Sequence, residues 1–156
     1  MHESLTIALL QARETAMGFF RPILKSHNLT EQQWRIIRVL ADGQSVDFHE
    51  LSCKTCISRP SLTGILTRME RDRLILRLKP VSDQRKLYIS LTPDGKLLYE
   101  KARLQVEEGY QAIEQAFSSE KMTQLTLLLD ELIALGDLAS VSEHDESPSR
   151  SLQMEK

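Results

Sequence analysis

Three groups of residues in this 156-residue chain are of types and spacings that could do chemistry. The first lies between Ser58 and Arg71. At about 100° per residue, Pro60, Thr63, Gly64, Thr67, Arg68 and Arg71 project from one side of a helix, with Ser58, Arg59 and Ser61 at its entry. Solvated helix faces favour long Glu/Lys pairs. Small hydroxyls, one glycine and arginines instead suit close approach to a surface that accepts hydrogen bonds and carries negative charge, as a DNA major groove does. The second group is Arg13 with Met17 and Phe20 at i+4 and i+7. There an aromatic wall could hold a ring while a guanidinium pairs its carboxylate; the plain alternative is a surface or interface ion pair. The third is Cys53-Lys54-Thr55-Cys56 with His49 four residues earlier, to be read as a redox switch, a zinc site or two small buried thiols. Zinc would want four ligands, and no second CxxC or nearby histidine supplies the fourth. His2, His27 and His144 form no chemical spacing. With no Gly-rich phosphate loop, no paired carboxylates in an apolar setting and no nucleophile beside a recognisable base, no catalytic residue, metal or cofactor is expected.

The elements that must position these residues follow from periodicity. Leu62, Ile65, Leu66 and Met69 fall at i, i+3, i+4 and i+7 on the opposite side of the Ser58 helix and should enter a core. Behind it Leu74, Leu76 and Leu78 alternate with Ile75, Arg77 and Lys79, and Leu87, Ile89 and Leu91 alternate with Lys86, Tyr88 and Ser90. Both runs carry the period-2 pattern of a half-buried hairpin, joined by a polar turn ending at Arg85. A helix with a small-residue face followed by a basic hairpin describes a winged helix-turn-helix, mainly α with a small β wing. Charge agrees with geometry: residues 54–86 hold nine Lys/Arg against three acids, a balance of +6, while the remainder is at −8.

The rest of the chain looks built to hold two copies of this lobe. Residues 3–26 read as a helix striped by Leu5, Leu9, Ala12, Ala16, Phe19 and Ile23, with Pro22 predicting a kink or break near Phe19–Arg21. Thr30 and Gln33 form a capping box before a helix over 31–41 that buries Trp34, Ile37 and Leu40/Ala41. Asp42-Gly43 stops it, and Val46-Asp47 opens a shorter helix turning Phe48 and Leu51 inward; Ser58 is the N-cap of the next. Thr92-Pro93-Asp94-Gly95 starts a helix to about Phe117, and Ser118 or Ser119 caps a last one to about Leu138. Both terminal helices carry apolar stripes too wide for one chain to cover, which predicts a homodimer. The aperiodic segment 140–156 should be disordered. No run approaches 18 apolar residues and MHESLT lacks a signal pattern, so no membrane contact and a cytoplasmic location are expected.

These residues together resemble the MarR family of bacterial transcription regulators over residues 3–139. The carriers are Leu29-Thr30 with Gln33-Trp34, Ile57 through Thr63, Leu74-Ile75, Asp83-Gln84-Arg85-Lys86, and Leu91-Thr92-Pro93-Asp94-Gly95, which is similar to the family's LT-x-x-G. The resemblance implies one domain over 1–139, with 1–28 and 93–139 as dimerisation helices and 30–92 as the DNA-binding lobe. It implies two recognition helices in successive major grooves of a pseudo-palindromic operator, where Ser61, Thr63, Thr67 and Arg68 meet base edges and phosphates. Arg85 at the wing tip would enter the minor groove, Asp83 would orient basic neighbours, and Arg77, Lys79 and Lys86 would serve phosphates. It also brings Trp34 and Arg38 to an effector pocket between the dimerisation helices and the DNA-binding lobe, although Trp34 could equally be core. Within the family, Arg21 through Leu24 and Leu29 through Arg35 are similar to regulators of homoprotocatechuate (4-hydroxyphenylacetate) degradation operons. That implies a repressor released by a small aromatic carboxylic acid. Two positions depart: Arg73 stands where the family often has a turn glycine, so a left-handed conformation there would be strained, and Gly64 stands where it often has a long side chain. The alternatives are the same fold sensing oxidants or metal through Cys53 and Cys56, and a winged helix used for protein contact.

Overall fold

The computed structural model describes residues 4–136; the expected disordered segment and the last residues of the expected final helix lie outside them. Two compact units are present, divided after Ile113. Up to that point the elements are α1 (Leu5–Gly18), α2 (Arg21–Ser26), α3 (Glu31–Leu40), β1 (Val46–Asp47), α4 (Phe48–Thr55), α5 (Arg59–Arg71), β2 (Ile75–Leu78), β3 (Tyr88–Leu91) and most of α6 (Pro93–Phe117). The second unit holds the end of α6 and α7 (Ser119–Ala134).

Local chemistry explains most boundaries. Pro22 lacks the N–H that would continue α1 and sits in the first turn of α2, so the chain breaks between Gly18 and Arg21, as its position predicts. Thr30 and Gln33 close their capping box in both directions, each bond 3.1 Å. Asp47 caps α4, its Oδ1 accepting from the His49 and Glu50 amides at 2.9 and 3.2 Å. Ser118, at φ +91°, caps α7 by accepting from the Lys121 amide. Ser58 occupies the N-cap of α5 without capping: its hydroxyl donates to Ser61 Oγ at 3.0 Å instead.

The core of the first unit lies under α5. Leu62, Leu66 and Met69 are fully buried with Ile36, Ile37 and Leu51, against Ile75 and Ile89 of the sheet and Ala102 and Val106 of α6. Each of the larger of these apolar side chains, removed from water, contributes about 1.5–3 kcal/mol. Gly109 lets α6 approach this core, since a Cβ there would stand 2.8 Å from the Phe20 ring.

The antiparallel sheet has the order β1-β3-β2, with Ile75 opposite Leu91 and Arg77 opposite Ile89. This register corrects the phase suggested by the leucine repeat. Opposed residues share a face, and Ile89 and Leu91 are buried, so Ile75 and Arg77 point inward while Leu76 and Leu78 are half exposed. Val46 and Asp47 also pair as a short strand with Ile89 and Tyr88, immediately before the helix that Asp47 caps as expected. In the second unit α7 buries no residue, and Leu127, Leu128 and Ile133 are 58, 62 and 73% exposed.

Candidate nucleic-acid interface and small-molecule cavity

The outward face of α5 is set by its start and its end. Pro60 lies in the first turn, where no amide hydrogen is missed. At the other end Asp72 leads into Arg73 at φ +61°. The Arg73 amide donates to Glu70 O and the Leu74 amide to Met69 O, both at 3.0 Å, the paired bonds of a Schellman turn. The left-handed arginine flagged by the sequence is therefore real, and it is held from across the chain. Thr92 Oγ1 donates to Arg73 O at 2.7 Å and accepts from the Gly95 amide at 3.0 Å, while the Thr92 amide donates to Leu74 O. A Cβ on Gly95 would overlap the Leu74 carbonyl oxygen. The Leu-Thr-Pro-Asp-Gly run thus starts α6 and grips the turn that joins α5 to the wing.

Ser58, Arg59, Pro60, Ser61, Thr63, Thr67, Arg68 and Arg71 are all exposed, and Gly64 is half-buried with open space where its Cβ would be. Thr63 and Thr67 donate their hydroxyl protons to Arg59 O and Thr63 O at 3.0 and 2.9 Å. With those protons committed, each hydroxyl oxygen can only accept a further bond, as from a base amino group, and the methyl group of each side chain suits contact with a thymine methyl. The Arg59 guanidinium contacts His49 Nδ1, and Arg71 pairs with Asp72 at 3.2 Å.

On the wing, Arg85 is 92% exposed; its amide and its Nε both donate to Asp83 Oδ1, at 3.1 and 3.2 Å. Asp83 therefore orients the arginine at the tip, the part foreseen for it. Lys79 and Lys86 are exposed. Arg77 differs from the phosphate contact expected of it. From the inner side of β2 its Nε and NH2 donate to the two oxygens of Glu70 at 3.1 and 3.0 Å, and its NH1 reaches Thr67 Oγ1 at 3.4 Å. Hydrogen bonds from Arg77, then its charge, hold the Glu70 carboxyl below the usual carboxylate range.

A second feature is a cavity of about 260 Å³ between α3 and α6, lined by Trp34 and Arg38 and by Tyr99, Arg103, Leu104, Val106, Glu107 and Tyr110. Trp34 stacks on Tyr99 with ring centroids 5.6 Å apart at 22°. Arg38 donates to the Tyr110 hydroxyl at 3.2 Å and lies 5.8 Å from the centre of that ring. The stacked Trp34 and Tyr99 form one aromatic wall against which a ring can lie, and Arg38 can face a carboxylate, while Arg103 Nε already donates to Glu100 at 2.7 Å.

Of the residues nominated for an effector, the structure brings Trp34 and Arg38 to this cavity and leaves Arg13, Met17 and Phe20 off its lining. Arg13 pairs with Glu31, and Phe20 packs on the back of Tyr110 at 4.7 Å. Tyr99, Arg103 and Tyr110 were missed. Their spacing on the predicted Pro93 helix, i, i+4 and i+11, puts them on one face and could have found them. The cysteines correct the bland reading: Cys53 and Cys56 are both exposed free thiols, with Cys53 Sγ 3.8 Å from His49 Nε2. Leu51 and Thr55 take the buried side of α4, so Cys53, about 200° round from each, faces outward. Among the described residues no cluster of three or more His, Cys, Asp or Glu is placed to hold a metal ion, and no helix is long and apolar enough to cross a membrane.

Comparison with known proteins places this geometry. The chain is 69% identical over 137 residues to the homoprotocatechuate degradative operon repressor of Escherichia coli, covering 88% of this chain and 93% of that protein. It is 52% identical over 136 residues to the HTH-type transcriptional regulator FarR of Neisseria gonorrhoeae, covering 87% and 93%. Among solved structures, NadR in complex with 4-hydroxyphenylacetate superposes with a TM-score of 0.74 at 53% identity, over 84% of this chain and 93% of that one. The family pattern described as MarR matches residues 29–87, from the start of the α3 cap to the root of β3. The chain belongs to the MarR family.

Proposed function

We propose that this chain is a homodimeric, sequence-specific DNA-binding repressor of an aromatic-acid catabolic operon, that of homoprotocatechuate or 4-hydroxyphenylacetate degradation, working in the cytoplasm. A hydroxyphenylacetate-type acid releases it. The observation that carries the reading is the Trp34–Tyr99 stack with Arg38 and Arg103 at one cavity, in the same unit as a basic recognition helix and wing. The names of the 69% identical repressor and of the solved NadR complex support it. The effector's ring lies against the Trp34–Tyr99 stack, and its carboxylate pairs with Arg38. It lowers DNA affinity to the extent that it binds better to a dimer whose two recognition helices no longer match the operator. The surface for DNA in this reading runs from Ser58 to Arg71 with Lys79, Arg85 and Lys86, and leaves out Arg77, which was also nominated and is engaged by Glu70.

The test is fluorescence anisotropy of DNA from the chain's own upstream region, titrated with 4-hydroxyphenylacetate. Weakening by the acid is expected. Arg38→Ala should raise the concentration needed by about tenfold or more, the worth of one charge-assisted pair, while DNA affinity without effector stays within about twofold. An unchanged response in Arg38→Ala would remove the cavity from the mechanism. Because both thiols are exposed and Cys53 lies beside His49, a parallel titration with peroxide separates the second reading: release by peroxide alone moves the switch to Cys53 and Cys56.

A further inference from the structure

Arg77 is a basic residue on a wing, which invites a phosphate role, but its guanidinium is already occupied. Two parallel hydrogen bonds to Glu70 form the fork-on-carboxylate geometry that is the most directional ion pair available to proteins. The third nitrogen reaches Thr67, whose own hydroxyl proton is committed to Thr63 O. Glu70 and Thr67 lie one turn apart on α5, and Arg77 stands mid-strand in β2, opposite fully buried Ile89. The covalent link between helix and strand is the short turn through Arg73, so this fork is a second, independent tie fixing the angle between them. Glu70 is otherwise unexplained: an acid near the end of a DNA-facing helix repels phosphates and should weaken binding.

We propose that Arg77 and Glu70 are positioning residues for DNA recognition, tying the wing to the recognition helix and fixing the Thr67 hydroxyl, which accepts from Arg77 and donates to Thr63 O. This rests on the DNA-binding reading above. The fork fixes where Arg85 falls relative to Thr63 and Arg68, and so acts on the ratio of operator to random-sequence affinity.

The decisive variant is Glu70→Gln, made in the full chain and compared with Arg77→Met and the double variant. Anisotropy is measured on operator and on random DNA across a salt series. A positioning role predicts that Glu70→Gln binds operator about three- to tenfold more weakly, although it removes a negative charge from the interface. Random-sequence affinity should hold or rise slightly, and the double variant should be no worse than Arg77→Met alone. A phosphate role for Arg77 predicts the reverse: Glu70→Gln tightens both DNAs, and Arg77→Met weakens both with a salt slope shallower by about 0.9. That pattern would overturn the proposal. Amide hydrogen exchange across β2 and β3 provides a readout that needs no DNA. Faster exchange in Glu70→Gln is expected, and unchanged exchange overturns the tie. If the parent chain binds no DNA at any salt while exchange still responds, the tie stands and the DNA reading fails.

Discussion

Helices α1 and α5 carry apolar stripes of the same period and meet opposite fates. On α5, Leu62, Ile65, Leu66 and Met69 are between 0 and 4% exposed. On α1 nothing is buried, and Leu5 and Leu9 remain 58 and 37% exposed. The cover of α5 comes from α3, α4 and β2, which lie near it in the chain and must fold with it. The α1 stripe finds no such cover in this unit. A periodic stripe says that a face needs burying and leaves open which chain does it. A second copy is the cover the proposed dimer supplies.

The comparison breaks most readily at Leu66. Leu66→Ala should lower stability by about 2–5 kcal/mol, through reduced burial and a cavity, with a denaturant midpoint that shifts equally at all protein concentrations; a decrease below about 1 kcal/mol would mean that the α5 face is not the core. Leu5→Glu with Leu9→Glu should leave wing amide protection intact and weaken self-association by at least about tenfold, since withdrawing each leucine from an apolar interface costs more than about 1.4 kcal/mol. Sedimentation equilibrium reads this, and an unchanged assembly would show that the two stripes do not differ in the way proposed. The smallest effect sharpens the contrast at the end of α5. Arg73→Gly removes the left-handed strain and should raise the thermal midpoint, by about 0.5–1 kcal/mol of added stability; a fall would mean that the arginine side chain contributes more than its backbone loses.

What the sequence made legible depended on how far apart the interacting groups lie. The Thr30 box and the Thr92-Pro93 start are closed by partners within three residues, so their letters suffice. The buried face of α5 was equally plain, because hydrophobic period and helix period coincide. The β2 phase was not, since alternation gives a period without saying which set faces in. Arg77 sits inward because Glu70 neutralises it, and that pairing bridges two elements. Strand β1 exists only by pairing with β3, some forty residues on, and no local signal announces it. The cavity was half visible: Trp34 and Arg38 came through family resemblance, whereas the shared face of Tyr99, Arg103 and Tyr110 was there in the spacing but not the element it meets, which the packing of α6 against α3 decides.

The grip of Thr92 and Gly95 on the Arg73 turn has a mechanical meaning. Tyr99, which stacks on Trp34 at the cavity, stands one turn beyond Gly95, about 6 Å along the same helix axis. The wall that a small molecule would press and the root from which the wing springs are therefore two points on one stiff rod. A few degrees of tilt at the cavity would carry that root along, with a displacement growing with distance out to Arg85. The hairpin is the long arm of a lever whose fulcrum is a threonine hydroxyl and the side chain that glycine lacks.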